Sequence, residues 1–328
     1  LKIKLIVYSY QCTEIDIGDT KVNNATLPLQ RWKFPRKEQE MLNTQRISAV
    51  QDGSNVCADI VGFDFNNYDE RDIEEVRKYW LHYGVLRFKA ANITDEQQVA
   101  FSRHFGEFVI HPKQLQEGGH PTHKEILVIA NTMKDGKPSG AMGNSEATWH
   151  TDTWFYERPP AGAILRAVEV PAEGGDTYFL STYRAYDALP EEFRKAIDGR
   201  QIFFQNVYDK TGKLRLGKVK PASKDFREWN GIVHPLVRTH AETGRKALYL
   251  GGTAEGAWIV GMPLDESDDL LKRLWQHTTE TSEVFVQKWT RGDIMMWDNR
   301  CTMHRRDSFD PNTIRIMHRT TTSGERPV

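Results

Sequence analysis

A histidine and an aspartate stand two residues apart at His150 and Asp152, within Thr148-Trp149-His150-Thr151-Asp152. Alternate side chains of a β-strand share a face, so both would reach one metal ion. A third ligand would have to come from a distant strand. The candidate is His304, in Trp297-Asp298-Asn299-Arg300-Cys301-Thr302-Met303-His304. Two histidines and one carboxylate make a facial triad suited to iron(II), with three coordination positions open. Those positions would let a chelating co-substrate and oxygen bind side by side. HxD alone is a weak signal, because most of the 11 histidines must serve structure. A competing pair, His120 and His123 in Gly119-His120-Pro121-Thr122-His123, lies in a Gly/Pro-rich stretch without a nearby acid and reads as a plain loop.

Arginines follow the distal histidine at a telling distance. Arg315 lies eleven residues after His304 and Arg319 fifteen after it. If this stretch is a turn followed by a strand, the two share a face. Guanidinium groups grip carboxylates through paired, charge-assisted hydrogen bonds. Two of them at a metal pocket could hold a dicarboxylate co-substrate and the acid group of a substrate; taken singly, either could equally serve a surface ion pair. Thr177 can donate a hydroxyl to a carboxylate, or simply be a strand residue. Trp149 and Trp297 flank the ligand segments and are expected as core or pocket wall, keeping the site dry.

The elements that must hold these residues are mostly short. Apolar runs at Ile126–Ile129, Ala163–Val170, Ile202–Phe204, Ala247–Leu250, Val284–Val286 and Ile294–Trp297 are separated by Gly, Pro and Asn. Many short strands between turns predict a mainly β fold with flanking helices, a sandwich or jelly roll. Phe108–Ile110 also reads as a strand. Ile73, Val76, Tyr79, Trp80 and Tyr83 recur at helical spacing, and Thr94 with Gln97 forms a capping box opening another helix. Further helices are expected near Ala185–Ile197 and Asp268–His277. Residues 1–50 read as a partly ordered N-terminal extension and 51–328 as the catalytic domain. The basic segment KTGKLRLGKVKPASK, from Lys210 to Lys224, is either a solvated loop or a lid over an anionic substrate.

The 328 residues carry a net charge of -1 and are 39% hydrophobic. No charge excess points to nucleic acid or to an anionic membrane. No apolar run approaches a bilayer span, and the Leu1–Tyr10 stretch lacks a signal-peptide pattern. Three cysteines without a CxxC pair argue against a disulfide framework and fit a reducing, cytoplasmic compartment.

WHTDTWF (149–155), PPAGAILRAVEVPAEGGDTYF (159–179), HPLVRTH (234–240), GRKALYL (244–250), WDNRCTMHR (297–305) and RIMHRTT (315–321) together resemble the taurine dioxygenase/2,4-dichlorophenoxyacetate dioxygenase family. The likeness runs from about Cys57 to the end, and the order and spacing of the motifs are more specific than any one of them. It implies a double-stranded β-helix (jelly roll) and an enzyme that uses Fe(2+), 2-oxoglutarate and O2 to hydroxylate a C–H bond of a small anionic organic substrate. It implies iron ligands His150, Asp152 and His304. It implies Thr177 and Arg315 at the far carboxylate of 2-oxoglutarate, and His111 with Arg319 at the substrate acid. Asp152 favours hydroxylation, since halogenating relatives lack that carboxylate. Glu146 stands where the taurine enzyme has a substrate-binding Asn, so it would either pair with a substrate ammonium or simply face solvent. Taurine, an aryloxyalkanoate, another carboxylic acid and an amino-acid-like intermediate all remain open as substrates. Family members often form dimers or tetramers, so a homo-oligomer is expected. A non-catalytic jelly-roll binding protein would fail to hold iron, and a cupin-type hydrolase or isomerase would work without 2-oxoglutarate.

Overall fold

The structure, a computed structural model, describes residues 47–328 apart from 52, 111–113, 115–118, 135, 145, 210–211 and 253–255. The N-terminal extension, up to residue 46, lies outside the described residues. So does His111. Ile47 is already part of the core, and the first strand begins at Ser48.

The described chain is mainly β, with helices at its margins. The strands that matter to the site are β1 (Ser48–Gln51), β2 (Cys57–Val61), β3 (Val85–Phe88), β4 (Leu127–Ala130), β5 (Ala141–Met142), β6 (Ala147–His150) and β7 (Gly162–Glu169). They continue with β8 (Thr177–Ser181), β9 (Val284–Gln287), β10 (Ile294–Asp298), β11 (Thr302–Arg306) and β12 (Ile316–Thr322). An eight-stranded sheet runs in the order β1-β2-β3-β10-β7-β12-β4-β5, and a four-stranded sheet runs β9-β8-β11-β6.

Strand alternation builds two cores from one sheet. On β10 every residue is buried. Ile294 and Met296 join Leu86, Phe88 and Ile164 against the helices α1 (Glu70–Tyr83) and α2 (Asp95–Arg103). Met295 and Trp297 point the other way and join Leu165, Met317, Phe179 and Phe285 between the sheets. A central strand covered on both faces must be apolar throughout, as Ile-Met-Met-Trp is. Truncating the 1%-exposed Trp297 would cost about 3–5 kcal/mol.

The helices form where periodicity and caps coincide. Asp69 and Asp72 make a capping box at the start of α1, and Gly84 ends it in the left-handed region. The Thr94–Gln97 box opens α2 as expected. The helix expected near Ala185–Ile197 is instead two, α3 (Thr182–Asp187) and α4 (Glu191–Ile197). Pro190 stands at the break, where it cannot donate to the preceding turn. α5 (Leu264–Glu280) is longer than its apolar repeat suggested. Phe108–Ile110 is not a strand: only Phe108 bridges, to Thr322. No helix among the described residues is long and apolar enough to cross a membrane.

Candidate active site

His150 and His304 are register partners on β6 and β11, so strand pairing alone puts them side by side. Their ring centroids are 4.2 Å apart. Asp152, just beyond the end of β6, brings Oδ1 to 3.9 Å from His150 Nε2. Ligand atoms of the three residues all lie within 4.8 Å of one another, a spacing one metal ion can bridge. The donors are chemically ready. His150 Nδ1 donates to the Thr148 carbonyl at 2.7 Å, which fixes the lone pair on Nε2. Burial pushes His304 down to about 3, helped by the positive charge of neighbouring groups, so its ring is neutral. Its Nδ1 is buried without a hydrogen-bond partner. Two imidazoles and a carboxylate are the donor set expected for iron(II).

Between Ala147 and His150, β6 uses one residue more than β11 uses between Arg306 and His304. This bulge sets the turn toward Asp152. Thr153 then holds φ +42, in the left-handed region that β-branched residues seldom occupy. The segment after it is pinned from several sides. Thr151 N–H donates to the Gly251 carbonyl at 2.9 Å. The Tyr249 hydroxyl donates to the Trp154 carbonyl, and His234 Nε2 donates to that of Tyr156. These are the tasks of the HPLVRTH and GRKALYL stretches. The Trp154 ring lies where a Cβ on Gly252 would come within 2.3 Å, so only glycine fits there.

His304 is fastened by a buried charge network. Asp298, fully buried, accepts from Arg300 Nε and Nη2 at 2.8 Å and from His240 Nε2 at 3.0 Å. Arg300 also donates to Glu242 at 2.6 Å. The Arg300 and His240 partners overcome desolvation and hold the Asp298 carboxyl far below the usual carboxylate range. This network fixes the turn between β10 and β11. Asn299 Oδ1 accepts from Trp297 Nε1 at 3.0 Å and from the Asp152 amide at 3.3 Å, tying the two ligand segments together. Neither role is visible in the sequence, because both depend on contacts with residues remote along the chain.

Two arginines reach the inner face as their four-residue spacing predicted. Arg319 Nη1 donates to Asp152 Oδ1 at 3.0 Å, and both side chains are 7% exposed. Arg315 is 2% exposed, and burial with the nearby Arg306 charge pushes it down to about 9. No carboxylate of the described residues lies within ion-pair distance of Arg315, and the Nε atoms of both Arg315 and Arg319 are buried without a partner. Thr177 is buried at the start of β8 and accepts a hydrogen bond from Trp289 Nε1 at 2.9 Å. Glu146 is exposed, one residue before β6. Trp149 is half-buried.

The His120–His123 loop has acids after all. They come from α2, remote in sequence. His120 Nε2 is 3.1 Å from Asp95, His123 Nε2 is 3.2 Å from Glu96, and His318 Nδ1 is 2.6 Å from Asp95. Asp95, His120 and His318 have metal-compatible spacing. Their hydrogen bonds oppose a cation, however. Arg166 already pairs with Asp95. His120 Nδ1 accepts the His123 amide at 3.1 Å, which leaves the proton on Nε2, the atom that faces Asp95. The cluster ties α2 to the outer face of β12. The basic segment is half seated too: Arg215 stacks 3.7 Å over the Phe155 ring, while Leu216 and Val219 are exposed.

The profile of the taurine catabolism dioxygenase TauD/TfdA family matches residues 48–321. The chain is 33% identical over 265 residues to the alpha-ketoglutarate-dependent 2,4-dichlorophenoxyacetate dioxygenase of Burkholderia sp. (strain RASC), covering 78% of this chain and 86% of that one. It is 31% identical over 265 residues to the alpha-ketoglutarate-dependent sulfate ester dioxygenase of Pseudomonas putida, covering 79% and 83%. A crystal structure of AAD-2 with Mn(II) and N-oxalylglycine superposes with a TM-score of 0.68 at 31% identity, covering 86% of this chain and 98% of that one. Sequence, fold and donor set thus agree: the chain belongs to the TauD/TfdA family of Fe(II)- and 2-oxoglutarate-dependent dioxygenases.

Proposed function

We propose that the enzyme hydroxylates a C–H bond of a small organic acid at the His150–Asp152–His304 site. Bound iron, 2-oxoglutarate and oxygen supply the oxidising power, with succinate and carbon dioxide as co-products. The chain's own part is to bind, orient and exclude water. His150 and His304 offer ring nitrogens, and Asp152 offers a carboxylate aimed by Arg319 and Asn299. Thr177 and Arg315 hold the far carboxylate of 2-oxoglutarate. Trp297 and Phe179 wall the His304 ring, at centroid distances of 4.8 and 6.0 Å.

The observation that carries this reading is the pairing of a converged metal triad with buried guanidinium nitrogens that have no protein partner. Buried guanidinium nitrogens left unpaired call for anionic ligands, most of all at Arg315, since Arg319 already faces Asp152. Arg319 spends one donor on Asp152, and its Nε is left for a substrate acid, with His111 as the expected second contact. The two relatives act on 2,4-dichlorophenoxyacetate and on sulfate esters, both organic anions, which supports an acidic substrate here. Glu146, exposed at the edge of β6, would meet a substrate ammonium only at the rim. The two facing sheets support a double-stranded β-helix (jelly roll). A homo-oligomer in the cytoplasm belongs to the same reading.

The test is substrate-stimulated succinate formation by the iron(II)-loaded protein, with alkyl sulfonates, sulfate esters, aryloxy acids and amino acids as the panel. Strong stimulation by one acidic class is expected. Succinate release stimulated by none of the acids, from protein that binds iron and 2-oxoglutarate, would overturn the substrate assignment. We expect Arg315→Ala to raise the 2-oxoglutarate KM by about ten- to a hundredfold. Arg319→Ala should instead lower the hydroxylated product formed per succinate, and equal effects of the two would mean that the roles are misassigned.

A further inference from the structure

Three large apolar side chains face water within one short stretch. Leu214, Leu216 and Val219 are 39%, 67% and 83% exposed, and Val219 is the most exposed large apolar residue of those described. A lone exposed leucine is ordinary, but a cluster at the surface calls for a partner. The same stretch is basic. From Gly212 to Lys224 there are five basic residues, Lys213, Arg215, Lys218, Lys220 and Lys224, and no acid. None of the four lysines forms an ion pair among the described residues. The nearest acids in the sequence stand at the two ends. Asp209 accepts the Lys213 amide at 3.1 Å, and Asp225 pairs with Arg227.

The backbone presents these side chains in a fixed way. Leu214 bridges to Tyr208, the Asp209 amide donates to the Lys213 carbonyl at 2.9 Å, and the Arg215 amide donates to that of Val207 at 2.9 Å. These bonds make a hairpin. Its far end is a tight turn in which the Lys218 amide donates to the Arg215 carbonyl at 3.0 Å. Such a turn needs a left-handed residue at its third position, and Gly217 supplies it at φ +73. Leu216 is therefore carried at the tip of the turn, with Lys218, Val219 and Lys220 just behind it. Arg215 seats the hairpin on the body of the protein. Its guanidinium carbon lies 3.7 Å from the Phe155 ring centroid, and its Nε donates to the Tyr208 carbonyl at 3.2 Å.

We propose that this hairpin docks the protein on an anionic lipid surface, with Leu216 and Val219 entering the acyl boundary and Lys213, Lys218, Lys220 and Lys224 at the level of the headgroups. Apolar tips ringed by lysines match that interface in both polarity and charge, because long lysine stems reach back to the phosphates while apolar neighbours go deeper. Sites for nucleic acid pair their cations with aromatic rings that stack on bases, and the tip here is aliphatic. The attraction is local, since the whole chain carries a net charge of only -1. It is also reversible: two apolar side chains and a few lysines hold a protein at a membrane without anchoring it there.

Co-sedimentation of the full chain with vesicles tests the inference. One set is phosphatidylcholine alone and the other is phosphatidylcholine and phosphatidylglycerol in equal parts. Binding to the anionic set should be at least about tenfold stronger and should fall as salt is raised. Lys218→Gln with Lys220→Gln should weaken it by about twenty- to thirtyfold, since each lysine near such a surface contributes about fivefold. Leu216→Ser with Val219→Ser should weaken it by about tenfold with every charge kept. All four positions face solvent, so the melting temperature of both double variants should match that of the parent. No binding to the anionic vesicles overturns the proposal, as does equal binding to both sets. Binding that survives both double variants lies elsewhere on the chain and overturns it too. A loss in the lysine variant alone would mean that the basic hairpin adsorbs without insertion, and the docking role of Leu216 and Val219 falls. Displacement of the protein from the vesicles by a duplex oligonucleotide at equal phosphate concentration would make the hairpin a general polyanion site and reject the lipid assignment.

Discussion

Asp152 has two duties, and they separate in experiment. It is the carboxylate of the proposed metal triad and the counter-ion of the buried Arg319. Asp152→Ala should abolish iron-dependent turnover and also destabilise the fold by about 3–5 kcal/mol, because Arg319 keeps its charge and loses its partner. His150→Ala should abolish turnover with a much smaller fall in melting temperature, since His150 is only half-buried. Paired activity and thermal-melting measurements check both, and full activity in either variant would refute the triad. The convergence of the candidate site was legible in the sequence because an HxD pair and a spaced arginine pair carry their geometry in their numbering. Arg306, two residues after His304 on β11, shares its face by the same period-two rule. The acids around His120 and His123 were invisible, because Asp95 and Glu96 reach that loop only through the packing of α2 on β12.

At the level of elements, the loop after Asp152 depends on two glycines facing Trp154. Gly251 has φ +75 and a Cβ there would come within 2.5 Å of the Trp154 ring. Gly252 is tighter still. Gly252→Ala should therefore cost about 1–3 kcal/mol through overpacking. It should also weaken iron binding, because the Gly251 carbonyl fastens Thr151. Differential scanning and an iron titration would read the two effects, and unchanged values in both would show that the loop is not held in this way. Strands were the most legible elements, since apolar runs between turns map onto buried sheet. Element ends were less so: Pro190 divides one expected helix, and Phe108–Ile110 has too little edge to pair with beyond Thr322.

Over the whole molecule, stability converges on the buried network around Asp298. Its carboxyl is held far below its ordinary pKa of 3.8. A depressed folded-state pKa gives stability that is present above the unfolded value and lost as pH falls through it toward the folded value. The unfolded chain takes up the proton that the folded chain refuses. Acid should thus destabilise the protein progressively below about pH 4. Asp298→Asn should lower stability near neutrality by about 3–5 kcal/mol and flatten that acid limb, as denaturant melts at stepped pH would record. Finally, the extra residue that β6 carries opposite β11 makes the metal site a matter of counting. Deleting any one residue between Ala147 and His150 would leave composition almost untouched and would let His150 stay paired with His304 in a regular ladder, yet it would remove the bulge that bends the chain toward Asp152. Surface loops can gain or lose residues over evolutionary time, but a gap in this stretch would mark a descendant whose two histidines still meet while its carboxylate is no longer aimed at them.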